Sequence, residues 1–177
     1  MTRTTIHTVS ARDERSRRVK RIRRAGLVCF IIYMAALIYF LFFADWFGHA
    51  PGVHGDYHYN LVPFAEIRRF LTAGKKLTAG AVFLNLGGNI IGFIPFGFFL
   101  PVIDRHFRSV PKVTFLGMLL SAAVELTQLV TKIGTCDVDD VILNTLGTLI
   151  GVLLFMYADI LRIRKEKRAR RDAQDKG

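Results

Sequence analysis

Cysteine is nearly absent from the chain: Cys29 and Cys136 are the two among 177 residues. They can form at most one bridge, and the topology argued below separates them across a membrane, so no disulfide framework holds the fold. Acid is short too, with 14 Asp and Glu against 25 Lys and Arg and a net charge of +11. Spread over a soluble surface, that excess would suggest nucleic acid. The bases instead gather beside the ends of apolar runs, and no nucleic-acid partner is expected. Also missing is the Ser–His or Cys–His signature of a nucleophilic enzyme. The first apolar run lacks a small-residue cleavage site and is too long for a removable signal peptide, so it reads as an anchor. No cofactor is implied.

What the chain does have is apolar residues, 51% of the total, and they come in runs. Residues 25–43, 81–100, 113–130 and 138–160 each approach the roughly 20 residues a helix needs to cross about 30 Å of hydrocarbon. The expected fold is therefore all-α: a polytopic membrane protein with a bundle of four transmembrane helices. Nine of the Lys and Arg residues precede residue 25, eight follow residue 159, and Arg105, Arg108 and Lys112 fill the loop between the second and third runs. With four spans these all fall on one side, which the positive-inside rule makes the cytoplasm. Both termini then lie there. The expected organisation is a disordered basic tail over 1–20, the membrane domain over 21–161 and a second basic tail over 162–177, with both tails near anionic lipid.

The outer segment, 44–80, opens with Gly, Pro and aromatic residues that exclude a regular helix. His54, Asp56 and His58 alternate, a spacing usable by a transition metal on an extended strand and equally at home in a solvated loop. No metal is assigned. The stretch NLVPFAEIRRFL follows, with Asn60 as N-cap and Pro63 in the first turn. Leu61, Phe64, Ile67 and Leu71 share one face, and Glu66, Arg68 and Arg69 take the other. A helix this short cannot span; it lies at the interface, as a surface helix or as a lid over a site.

Polar residues inside the spans locate the candidate site. In the second run Asn85 and Asn89 share a face with Gly88 and Gly92, a GxxxG spacing that lets a neighbouring helix approach, and Pro95 should bend the inner half. In the third run Ser121, Glu125, Gln128 and Lys132 follow i, i+4, i+7, i+11. Glu125 falls roughly 10 Å below the outer end, where an ionised carboxylate costs at least about 3 kcal/mol. In the fourth run Asp140, Asn144, Gly147 and Gly151 repeat that pattern, while Asp137 suits an N-cap and Asp139 a first turn, both favoured by the helix dipole. Helices with polar faces at matching depth must bury them against one another. The expected result is a polar cavity open to the exterior, rimmed by residues 137–140 and closed below by small residues.

Four motifs, NLVPF at 60–64, NxxGNIxxFxPFGFFLP from Asn85, SAAVELTQ at 121–128 and DVDDVILNTLG at 137–147, occur in an order that resembles the VanZ-like family of bacterial membrane proteins. The family is named for a protein associated with resistance to the glycopeptide teicoplanin. The resemblance implies the bacterial plasma membrane and an envelope function linked to cell-wall-directed antibiotics; it assigns no reaction to any residue. From the cavity itself, the leading expectation is a protein that binds or modifies an amphipathic envelope component such as a membrane lipid or lipid-linked precursor. Whether it is an enzyme stays open. If it is, Glu125 and Asp140 are the candidate general acid and base. The candidate ligand-binding residues are Asn60, Asn85, Asn89, Gln128, Asp137, Asp139 and Asn144. A small proton- or ion-coupled transporter and a non-catalytic scaffold are the alternatives. The oligomeric state is not legible.

Overall fold

The computed structural model describes residues 3–43, 59–72, 83–132 and 135–175. Helix α1 (Arg3–Phe43) is followed by the short strand β1 (Tyr59–Asn60) and helix α2 (Ala65–Thr72). A π-helical turn, Phe83–Gly87, runs into α3 (Gly88–Ile103). After a 3-10 turn at Arg105–Phe107 come α4 (Val110–Thr131), strand β2 (Cys136–Asp137) and α5 (Val138–Gln174). The described residues are all-α apart from the two strands, and four helical stretches among them are long and apolar enough to cross a membrane: Ser16–Phe42, Asn85–Ile103, Val110–Thr131 and Val138–Gln174.

Local sequence explains where these helices start and stop. Pro111 sits in the first turn of α4, where its missing N–H leaves nothing unpaired. At the other end Lys132 turns left-handed (φ 56°) and stops the helix, so its side chain leaves the stripe of Ser121, Glu125 and Gln128 and is exposed. Asp137 caps α5, its side chain accepting the Asp139 N–H at 2.8 Å. Helix α1 reaches back through the basic leader to Arg3, residues for which the composition suggested no regular structure. Once Ala25 to Phe43 are helical, each added residue costs little, because nucleation has been met.

The apolar surface faces outward. Ile31, Ile32, Tyr39, Val130, Leu153 and Leu154 are exposed around the bundle, the reverse of a water-soluble protein and the arrangement that lipid requires. Lipid tails give apolar helices no reason to prefer each other, so association depends on close approach at small residues. Here it occurs between α3 and α5. A Cβ on Gly147 would fall onto the Ile90 carbonyl oxygen, one on Gly151 onto that of Ile94, and one on Gly97 onto that of Thr148. The GxxxG pair Gly88 and Gly92 does not serve this purpose: a Cβ on Gly92 would meet only Leu37, at 3.9 Å. The two glycines leave room for a cavity instead.

Each end of the bundle has its own chemistry. At the basic end, Arg108 Nη1 donates to Asp159 Oδ2 at 3.3 Å, Arg162 reaches the same carboxylate at 2.6 Å, and the Arg108 guanidinium lies 5.3 Å from the centre of the Phe155 ring. At the acidic end, β1 and β2 pair in parallel, Tyr59 opposite Cys136 and Asn60 opposite Asp137, joining two loops far apart in sequence. Cys29 is exposed and Cys136 buried, both as free thiols.

Candidate functional site

The short helix α2 is docked by an acid from elsewhere in the chain. Asn60 is not its N-cap: the Asn60 side-chain oxygen accepts the Val62 N–H at 3.2 Å, and its amide nitrogen donates to both Asp137 oxygens at 3.2 and 3.3 Å. The capping group is Asp139, whose carboxylate accepts the Phe64 N–H at 2.5 Å and the Ile67 N–H at 3.0 Å. Phe64, just before the helix, is left-handed (φ 64°), and the first amides of a helix have no partner within it. Asp139 is only 1% exposed. A negative charge there meets both the unpaired amides and the positive end of the helix dipole.

The other acids point elsewhere. Glu125 Oε2, on α4, accepts the Asp137 backbone N–H at 2.8 Å, which pins β2 over the bundle. Asp140, one residue beyond Asp139 and therefore about 100° around α5, accepts a short hydrogen bond from the Asn89 amide of α3. Burial pushes the Asp137 carboxyl above the ordinary aspartate range, against the opposing pull of the Asp139 N–H and the Asn60 amide. Burial raises the Cys136 thiol too. The acidic run thus serves three tasks: Asp137 caps and pairs, Asp139 docks α2, and Asp140 faces inward. Among the described residues, no three His, Cys, Asp or Glu side chains gather as metal ligands would. The His54, Asp56 and His58 triplet lies outside the described residues.

Beneath these acids is a cavity of about 440 Å³. Asn85, Asn89, Glu125, Gln128, Asp140 and Asn144 all line it, so six of the nine sequence candidates converge on one space. Asn60, Asp137 and Asp139 form the structure above it. Asn144 Nδ2 donates to Ser121 Oγ at 2.8 Å, while Asn144 Oδ1 is buried without a hydrogen-bond partner. Gln128 Nε2 donates to the Leu41 carbonyl at 3.2 Å and so ties α4 to α1.

Helix α1 contributes more than an anchor. Tyr33, Leu37, Phe40 and Leu41 close one side of the cavity, and the Tyr33 hydroxyl donates to the Gly92 carbonyl at 2.8 Å. The sequence carried one sign of this, a tyrosine hydroxyl in mid-span where lipid offers no acceptor.

The model of the VanZ/LLP1 family matches residues 30–162, three quarters of the chain and every residue lining the cavity. The chain belongs to the VanZ/LLP1 family. It is also similar to Protein VanZ of Enterococcus faecium, with 38% identity over 78 residues, which are 44% of this chain and 48% of that protein. The match thus spans about half the length of that relative. No solved structure matches the chain. With four helices among the described residues long and apolar enough to cross a membrane, this VanZ/LLP1 protein is a multi-pass membrane protein.

Proposed function

We propose that this VanZ/LLP1 protein binds or modifies an amphipathic component of the cell envelope, a membrane lipid or lipid-linked precursor, and that this underlies a link to teicoplanin resistance. The acidic end faces the exterior and both termini lie in the cytoplasm, as the concentration of Lys and Arg beside the basic end favours. The observation that carries the reading is the divided wall of the cavity. Leu37, Phe40 and Phe93 offer a surface for an acyl chain, and Glu125, Asp140 and Asn144 offer one for a polar head. Asn144, which lines the cavity, keeps a buried side-chain oxygen without a hydrogen-bond partner. If a reaction occurs, Glu125 and Asp140 are placed as acid and base and the amides as orienting groups.

The test uses Glu125→Gln, which keeps an oxygen for the Asp137 amide and removes the charge. Protein purified in mild detergent should carry an amphiphile, identified by mass spectrometry, that the variant loses at unchanged expression and melting temperature. Identical extracts from wild type and variant would count against the reading. So would unchanged teicoplanin susceptibility in Glu125→Gln, Asp140→Asn and Asn144→Ala cells, compared with a deletion that alters it.

A further inference from the structure

The polar wall of the cavity holds two carboxyl groups and four side-chain amides. Four of the donors that line it are directed at the protein, Tyr33 at Gly92, Asn89 at Asp140, Gln128 at Leu41 and Asn144 at Ser121, and the Asn85 amide lines it as well. Gln128 faces a backbone carbonyl, which can only accept and so fixes its nitrogen in that role. The Glu125 and Asp140 carboxyl groups share that wall with the Asn85 and Asn144 side chains, and Asn144 Oδ1 is buried without a hydrogen-bond partner. Among the described residues no Lys, Arg or His lines the cavity.

Such a wall disfavours phosphate, sulfate or carboxylate, since like charges would meet in a low dielectric. Two carboxyl groups within the span of the bundle stay ionised only against a countercharge. A head group with both positive charge and several donors meets each need.

We propose that the ligand's head is a primary ammonium on an apolar chain, its N–H donors taken by Glu125, Asp140 and the Asn144 side-chain oxygen. The inference rests on the cavity being the ligand site, as proposed above. An aminophospholipid head group and a free amphiphilic amine supply the same donors.

The experiment titrates the full-length protein in maltoside micelles with four probes of equal chain length: dodecylamine, dodecyltrimethylammonium, 1-dodecanol and dodecyl phosphate. Dodecylamine should bind at least about tenfold more tightly than the other three, the least expected from a charge-assisted hydrogen bond. Glu125→Gln combined with Asp140→Asn should erase that preference while dodecanol affinity and the melting temperature stay near wild type. Should that double variant fail to fold, Asn144→Ala is read instead and should weaken dodecylamine more than dodecanol. Dodecyl phosphate or dodecanol binding as tightly as dodecylamine overturns the ammonium and leaves the cavity reading standing. Failure of all four probes to bind removes both. Displacement of dodecylamine by phosphatidylethanolamine nanodiscs, and not by phosphatidylcholine ones, assigns the ammonium to a lipid; no displacement by either assigns it to a free amine.

Discussion

Asp139→Ala removes one carboxylate and should release α2 while the four spans stay packed. The Asp139 side chain, 1% exposed, accepts the Phe64 N–H at 2.5 Å and the Ile67 N–H at 3.0 Å. Hydrogen bonds to a charged group contribute roughly 1.5–3 kcal/mol each, so together they hold α2 by roughly 3–6 kcal/mol. Little else compensates, since no residue of α2 is buried. At about 1.4 kcal/mol per factor of ten, amide exchange within α2 should accelerate roughly a hundredfold to ten-thousandfold, as local opening replaces docking. Hydrogen–deuterium exchange with peptide-level mass spectrometry measures this, with α4 as the internal reference. Asp139→Asn keeps one acceptor oxygen and should fall between. Unchanged exchange in α2 of the Ala variant would refute the reasoning, as would equal acceleration in α4, which would mean that Asp139 supports the whole bundle.

The α3–α5 seam makes a second prediction: Gly147→Ala, Gly151→Ala and Gly97→Ala should each lower stability by about 1–3 kcal/mol, because the added methyl meets backbone. Gly92→Ala should be nearly neutral in the same detergent melts, and equal losses at all four positions would contradict the seam. For Asp137, a carboxyl raised by burial contributes stability in full below the unfolded aspartate pKa of about 3.9 and loses it as pH rises through the raised value. The unfolding midpoint should therefore decline over that window, and Asp137→Asn should flatten the decline; parallel pH profiles for the two proteins would rule this out. Topology is open to labelling. Buried Cys136, with its raised thiol, should react slowly from either side. In a cysteine-free background a membrane-impermeant maleimide should reach a cysteine replacing exposed Thr135 and miss one replacing exposed Ser109 in intact cells. The opposite pattern would invert the protein.

The spans were legible because lipid imposes length and apolarity on each helix separately, with no knowledge of its neighbours. The inward faces were legible for the same reason: lipid cannot face Glu125, Gln128 or Asn144, so their spacing alone brought them to one space. What stayed hidden depends on pairs distant in sequence. Asp139 docks Phe64 and Ile67 across more than 70 residues, and nothing in the local pattern separates that from an acid stabilising its own first turn. Two-residue strands have too few positions for a period of two to register, so β1 and β2 were invisible. The glycines divide similarly. Gly88 and Gly92 have the same four-residue spacing as Gly147 and Gly151, yet it is the second pair, with Gly97, that meets backbone, because a spacing motif does not say which face meets a neighbour. Tyr33 was hidden by the apolar residues around it, which made α1 look like an anchor alone.

Adjacent positions on α5 carry different obligations, Asp139 outward to α2 and Asp140 inward to Asn89 and the cavity. One rigid turn of backbone carries both. If occupancy of the cavity changes how firmly α2 is seated, then seating of α2 must change occupancy by the same factor, since linkage between two equilibria is reciprocal. A macromolecule that touched only α2, from outside the membrane, could thereby set how long the cavity retains its contents without ever entering it.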